Sequence, residues 1–442
     1  MCLYNLAGCI EFKVGTVAEN VQSMLAVDEA LERILAVFSR LPAEQIDVAD
    51  GLGRVLAEDV RATLDLPPFA NSSMDGYAVR AADVLNARRD APVTLTVVGD
   101  IPAGSAPQFT ISTGQAARIM TGAPLPAGAD AVIPVEHTDD APQSGKYTDR
   151  LAAPPPPRIA IFEPSQAGAY VRPVGEDVQA GQTVLREGRV LRAADLGVLV
   201  GLGLPRIRVV RRPLVAVLST GDELLDVHEP LAPGKIRDTN GYTITALVQG
   251  LGAQAIRLGI ARDTVEDVRA HLQRALDAKA DLILSTAGVS VGSYDVVKNV
   301  VESLGALGFW KVRMRPGKPL AFGHLQSTPF MGLPGNPVSA MVSFDVFARP
   351  AILKMAGRSL YTATAEAELA HPLQSDGRQS YIRVTLEQQN GKLVARSTGN
   401  QSSGVLTSLV NADGLLIVPE GVTEVQAGSR LAVRLLTEHF IP

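Results

Sequence analysis

Cysteine is nearly missing from this 442-residue chain: Cys2 and Cys9 are its two, and both lie near the start. The body of the protein therefore has no disulfide framework and no thiolate metal site, and a reducing cytoplasm is the expected compartment. Aromatics are 5% of residues, with a single tryptophan, Trp310. Charge of one sign does not accumulate: the formal net charge is -5, and no basic stripe is visible. Nucleic acid is therefore not an expected partner, although a local group of Lys and Arg can still hold a small anion. Long apolar runs are absent too. The greasiest stretch, 196–204, is far short of the ~20 residues that span a bilayer, so no membrane partner is expected. The N-terminus lacks the order of a signal peptide. Residues 1–23 read as an irregular extension, with Met24 opening the first strong helical pattern. The six histidines are scattered without metal-ligand spacing. Gly317-Lys318 is followed by Pro319, which rules out a Walker A loop, and there is no G-x-S-x-G elbow.

What is present in quantity is glycine and proline, 40 and 29 residues, which imply many turns and short strands. The length implies about three domains at roughly 150 residues each. Residues 25–41 predict an amphipathic helix, with Leu31, Ile34, Leu35 and Phe38 at helical spacing. The prolines of 66–79 forbid helix, and Asn71, Ser72, Ser73 and Asp75 read as a turn held by Asx and Ser hydrogen bonds. Residues 76–140 alternate and break at Gly and Pro, as a small β-rich domain does. A proline-rich loop follows at 143–157, then β-like sequence over 159–183 and a packed helix at 193–204. From Leu214 strands and helices alternate, which predicts a parallel sheet with both faces covered. The last helix of this region is expected over 338–355. The final ~80 residues are β again, with Asn390-Gly391 as a hairpin turn. The expected fold class is multidomain α/β plus β: a central parallel-sheet α/β domain, a β-rich insert domain and a C-terminal β-barrel domain.

One stretch organises the chemistry, residues 281–299. An apolar strand ends in Gly288-Val-Ser-Val-Gly292, then Asp295 and Lys298 fall in the next helix. Strand, glycine-rich turn and helix start together make an anion-binding crevice. Ligands of an open parallel sheet bind beyond the C-terminal strand ends, where 220–223, Asp263, 285–295 and 334–337 are expected to meet. Glu223, Asp263 and Asp295 suit a hard cation such as Mg²⁺. Lys298, Lys311, Arg315 and Lys318 suit an oxyanion or phosphate. The combination points to a phosphorylated substrate with a divalent metal. Each residue also has a plainer use. The acids fit helix caps, Lys311 and Arg313 fit outward positions on an edge strand, and Pro334 and Pro337 fit a helix start.

Several long motifs then align in one order. They are PPFANSSMDGYAVR at 67–80, RIMTGAPLPAGADAVIPVE at 118–136, GED at 175–177, STGDEL at 219–224, DTN at 238–240, LGIARD at 258–263, AGVSVGSYD at 287–295, WKVRMRPGKP at 310–319 and GLPGNPVS at 332–339. On these the chain resembles the molybdopterin molybdenumtransferases, the family of bacterial MoeA, plant Cnx E domains and the gephyrin E domain. The resemblance implies that molybdate is inserted into adenylated molybdopterin, with Mg²⁺-dependent hydrolysis of the adenylate giving molybdenum cofactor and AMP. It implies a MogA-like central domain and a homodimer whose crevices are completed across subunits. A molybdopterin adenylyltransferase is a further candidate partner.

Residue by residue, the resemblance implies Mg²⁺ on Asp295 and Glu223, with Lys311, Lys318 and Asp75 also in the catalytic set. Molybdate would sit among Lys318, Ser339, Arg383 and Ser403, with Lys311 and Arg315 close by. Other substrate contacts would come from Asp238, Asp263, Gly288, Ser290, Gly292 and Lys298, and from Pro334, Asn336 and Pro337. Asp75, Thr121 and Asp177 match positions that face the other subunit's crevice. The implied domains are 24–68 with 158–205 (linker and dimerisation), 69–157 (β-rich), 206–357 (molybdopterin-binding) and 358–442 (β-barrel), with 142–157 as an insertion. Ala287 replaces a usual glycine, and Arg315 a common lysine. Two rivals are a non-catalytic scaffold and a molybdopterin adenylyltransferase. The full set of charged loop residues argues against the first; the flanking β modules argue against the second.

Overall fold

The computed structural model of the protein describes residues 13–14, 24–141, 153–287 and 296–436. The chain forms two compact units and passes between them more than once. The smaller holds Ile46–Leu52 and Leu56–Ile207; the larger holds the residues up to Gln45, Gly53–Val55 and everything from Arg208.

Helix α1 (Val27–Leu35) opens the larger unit and buries Val27, Ala30 and Ile34. It stops short of the predicted Leu41. Val37 and Phe38 already bond back to Ile34 and Leu35, three residues earlier, so the last turn tightens and ends. The smaller unit is built on a five-stranded sheet of β1 (Gly76–Val79), β2 (Val93–Ile101), β3 (Gln115–Ile119), β4 (Ala131–Pro134) and β5 (Arg158–Ile161), in the order β4-β1-β3-β2-β5. Strand β1 is buried on both faces: Tyr77 and Val79 join one core cluster and Ala78 another. Gly76 is required there, because a Cβ would lie 1.9 Å from the Ile133 carbonyl oxygen. Helix α2 (Ala193–Gly201) completes the unit; Asp195 turns back to accept from the Arg192 backbone N–H at 2.9 Å.

In the larger unit β6 (Leu214–Thr220), β7 (Gln254–Ala261) and β8 (Leu282–Thr286) are joined by α3 (Thr239–Gly250) and α4 (Val265–Asp277). Strand β8 is followed by α5 (Val296–Leu304), β9 (Gly305–Lys311), β10 (Met314–Arg315), β11 (Pro319–Leu325) and β12 (Thr328–Leu333). The six-stranded sheet runs β7-β6-β8-β12-β11-β9. Its first four strands pair in parallel, as predicted, and β11 pairs antiparallel with both β12 and β9. The difference follows from chain length. Only Gln326 and Ser327 separate β11 from β12, with Gln326 at φ 51, and a turn that short cannot make a parallel crossover. The strand starts are pinned by Arg211, whose fork donates to both Asp281 carboxylate oxygens at 2.6 and 3.0 Å.

The predicted helix 338–355 is continuous but not uniform. Helix α6 (Pro337–Ser343) passes into a π-helical stretch, Phe344–Ala348, before α7 (Arg349–Met355). Pro350, which has no N–H and crowds the preceding turn, accounts for the widened turn. The C-terminal strands β13 (Thr364–Leu369), β14 (Gln379–Gln389), β15 (Lys392–Ser397), β16 (Gly414–Val418) and β17 (Arg430–Leu435) close into a barrel, because β14 pairs with both β15 and β16. Asn390 and Gly391 turn the β14–β15 hairpin at φ 50 and 77, as predicted. Short β10 pairs in parallel with β14, Arg315 opposite Ser380. Tyr381 and Leu415 of the barrel share one apolar cluster with β6, β8 and β12. No helix among the described residues is long and apolar enough to cross a membrane.

Leu284 is fully buried on central strand β8. Leu284→Ala should lower stability by about 3 kcal/mol, as large-to-small core changes do. Thermal unfolding checks this, and a Tm within a degree of the unsubstituted protein would refute it.

Candidate functional site

Strands β6 and β8 become polar as they end. Ser219 and Thr220 close β6, and Ser285 and Thr286 close β8, all buried. Parallel register sets Ser219 beside Thr286, and the Thr286 Oγ1 hydroxyl lies 3.3 Å from Ser219 Oγ. Beyond these ends opens a cavity of about 680 Å³. Its walls come from four places: Glu223 and Leu224, residues 236–240, Thr286 with Ala287, and residues 335–337. Gly404 and Leu406, from a barrel loop, complete it.

The Asp238 carboxylate caps α3 by accepting from Gly241 N–H at 2.8 Å through Oδ1. Its other oxygen is buried and has no hydrogen-bond partner. Asn240 donates from Nδ2 to the Gly335 carbonyl at 2.7 Å, tying the start of α3 to the loop that starts α6. Asn336 caps α6 without a side-chain bond, and Pro337 stands at the helix start, where its missing N–H costs nothing. Ala287 has φ 74, a left-handed conformation that suits glycine, and its methyl faces Gly335. The departure noted in the sequence is thus a backbone cost at the cavity edge.

The predicted charged residues do not all meet in the cavity wall. Glu223 is exposed on the cavity wall. Asp222 and Asp263 are exposed beside each other, each accepting from the other's backbone N–H at 3.2 and 3.4 Å. No three His, Cys, Asp or Glu side chains converge as a metal site among the described residues. Glu223 still fits Mg²⁺, an ion that takes one or two carboxylates and fills its remaining positions with phosphate oxygen and water. Gly288, Ser290, Gly292 and Asp295 lie outside the described residues. Lys298, on α5, lies 4.0 Å from Glu302. Lys311 ends the edge strand β9 and is exposed, as is Lys318.

The basic group has a buried member. Arg383 on β14 is 1% exposed. It donates to Ser408 Oγ at 3.1 Å and the Ser402 carbonyl at 3.2 Å, both neutral, and has no carboxylate partner among the described residues. Burial, and then the positive charge of Arg315, push its pKa down to about 10. Arg315 in turn lies 3.8 Å from Asp376. Ser339 is buried in the first turn of α6. Half-buried Ser403 accepts from the Val338 N–H at 3.1 Å, which joins the barrel loop to that helix. A buried guanidinium without a counter-ion is costly, and an oxyanion is the natural partner.

In the smaller unit Asp75 and Thr121 meet directly. Asp75 Oδ1 accepts from the Thr121 N–H and hydroxyl, both at 2.7 Å. The predicted turn around them is held by Ser72, whose hydroxyl accepts from the Met74 N–H at 3.2 Å. Asp177 is exposed, and its N–H donates to the Leu66 carbonyl at 2.9 Å. Sequence reasoning passed over Asn240, Gly404 and Leu406. The first lay inside a quoted motif, whereas the barrel pair carried no local signal.

Residues 25–203 match the MoeA N-terminal region (domain I and II), residues 216–354 the "Probable molybdopterin binding domain" and residues 366–436 the MoeA C-terminal region (domain IV). Molybdopterin molybdenumtransferase 2 of Mycobacterium tuberculosis is 42% identical, over 89% of this chain and 95% of that one. The molybdopterin molybdenumtransferase of Bacillus subtilis is 34% identical, over 94% of each. The crystal structure of a molybdopterin biosynthesis MoeA protein from Pyrococcus horikoshii superposes with a TM-score of 0.78 at 32% identity, over 94% of this chain and 99% of that one.

Ala287→Gly should stabilise the protein by up to about 1 kcal/mol, since relief of the left-handed conformation exceeds the added unfolded-state entropy. A raised thermal midpoint checks this; a lowered one would show that the methyl packs usefully.

Proposed function

The chain belongs to the family of molybdopterin molybdenumtransferases, and on that premise we propose that it inserts molybdate into adenylated molybdopterin with hydrolysis of the adenylate. It is a transferase of molybdenum cofactor biosynthesis. The cavity beyond β6 and β8 takes the pterin and its phosphate. Arg383 carries the reading of the second substrate: a buried cation bonded only to neutral acceptors needs a small anion, and a tetrahedral dianion satisfies it. Lys318, Ser339 and Ser403 complete the molybdate pocket, with Lys311 and Arg315 near it.

In the hydrolytic step water adds to the anhydride phosphorus, the P–O–P bond breaks, and AMP departs. Mg²⁺, when bound, offsets charge on the leaving phosphate. Glu223 and Asp295 would hold it. Lys298 and the glycine-rich residues 288–292 hold the pterin phosphate, and Asp263 contributes from its own loop. The molecule works as a homodimer in which Asp75, Thr121 and Asp177 reach the crevice of the other subunit. A cytoplasmic molybdopterin adenylyltransferase supplies the substrate.

Purified protein with adenylated molybdopterin, molybdate and Mg²⁺ should release AMP, and absence of AMP under every metal condition would sink the reading. Lys318→Ala should raise the molybdate KM by about tenfold, the worth of one charge-assisted contact, with little change in the pterin KM. An unchanged molybdate dependence would make Lys318 a solvated surface charge. Asp295→Asn should still bind pterin but release AMP at least about tenfold more slowly; undiminished turnover would remove Asp295 from the metal site.

A further inference from the structure

The wall of the cavity that carries Glu223, Leu224, Ile236 and Arg237 is one loop, 221–238. Its base is zipped, Leu224-Leu225 pairing in parallel with Ile236-Arg237. Its middle is tied to the rest of the unit through Asp226. That carboxylate accepts from the Tyr242 hydroxyl at 2.8 Å and from the Arg257 guanidinium. The three side chains also touch one another, because the Arg257 Cζ lies 3.8 Å from the Tyr242 ring centroid. The hydrogen bond from Tyr242, and then that from Arg257, hold the Asp226 pKa below the usual carboxylate range, so it stays ionised.

Arg257 has a second duty. Its guanidinium is 3.9 Å from Asp238 Oδ2, the buried oxygen without a hydrogen-bond partner. Among the described residues no other cation comes within 4.0 Å of that carboxylate. Arg257 itself is not a cavity residue. It stands on β7, and Tyr242 on α3, elements already held by buried Leu258, Ile244 and Val248.

We propose that Arg257 is a positioning residue for the pterin substrate: it clamps the 221–238 loop through Asp226 and Tyr242 and balances the buried Asp238 carboxylate at the cavity wall. This rests on the functional reading above for the identity of the ligand, but not for the clamp. Arg257→Met removes the charge, the fork and the stack while keeping the length. Arg257→Lys keeps the charge alone, and Tyr242→Phe removes one hydrogen bond.

Two measurements on the full chain test it. In steady-state turnover Arg257→Met should raise the KM for adenylated molybdopterin about tenfold, the sum of an ion pair and a cation–π contact. Its molybdate KM should stay close to that of the unsubstituted protein while the Tm falls by a few degrees, because buried Asp238 loses its counter-ion; Arg257→Lys should recover part of the loss, and Tyr242→Phe should fall between. A pterin KM within twofold, or both KM values rising together, overturns the proposal. The second measurement needs no substrate. Trypsin should cut after Lys235 about tenfold faster in Arg257→Met, because the loop opens more often. Equal cleavage rates overturn the clamp. Faster cleavage in a protein that never releases AMP upholds the clamp and instead refutes the reading of the ligand.

Discussion

The parallel pairing of β6 with β7 and β8 is the constraint on which the rest of the site depends. Ser219 lies beside Ile260 on one side and Thr286 on the other, so three strands end at one level. Both faces of these strands are covered by apolar clusters, and a slip in register would break the packing of both. The loops that leave the strand ends therefore open into the same space. Arg211 and Asp281 pin the other end of the sheet and keep the strands from sliding.

Polar groups then meet at that level, and each needs a partner. The Asp238 carboxylate is half satisfied by its helix cap and half balanced by Arg257. Arg383 is satisfied by neutral oxygens but not balanced by a carboxylate among the described residues. The contrast separates the two sites. Where charge is internally balanced, the residue shapes a wall; where it is not, the buried cation suits an anion. The β14–β10 pairing and the Ser403–Val338 bond bring Arg383 into the same unit as the cavity. That arrangement explains why a barrel is joined to an α/β layer.

Much of this was legible in the sequence, for local reasons. Strands β6 and β8 are unbroken apolar runs, and Asn390-Gly391 admits the positive φ of a tight hairpin. Thr264 caps α4 by accepting from the Asp267 N–H at 3.3 Å, as its spacing suggested. The acids Glu223 and Asp263 stand in the loops after β6 and β7, as the strand pattern implied. Other features were not local. An apolar strand reads alike whether its neighbour runs parallel or antiparallel, so the alternation of strands and helices predicts a parallel sheet for β9 and β11 too. The π turn before Pro350 leaves no mark in the sequence, because apolar periodicity runs through it. Helix α1 shows its apolar stripe in the sequence, but only the structure shows that Val27 and Ile34 pack in the cluster of the larger unit. Amphipathic spacing states which face is buried and not what buries it.

By itself the sequence determined the inventory: which stretches are strands and helices, which loops carry acids and bases, and which family the motifs belong to. Those properties follow from side-chain spacing and backbone preference, which act over a few residues. The tertiary structure alone decided that Gly404 and Leu406 line a cavity with Glu223, that Arg383 is buried without a carboxylate, and that Arg257 serves both Asp226 and Asp238. Burial and charge balance are set by residues far apart in the chain, and they exist only once strand register and barrel closure have brought those residues together.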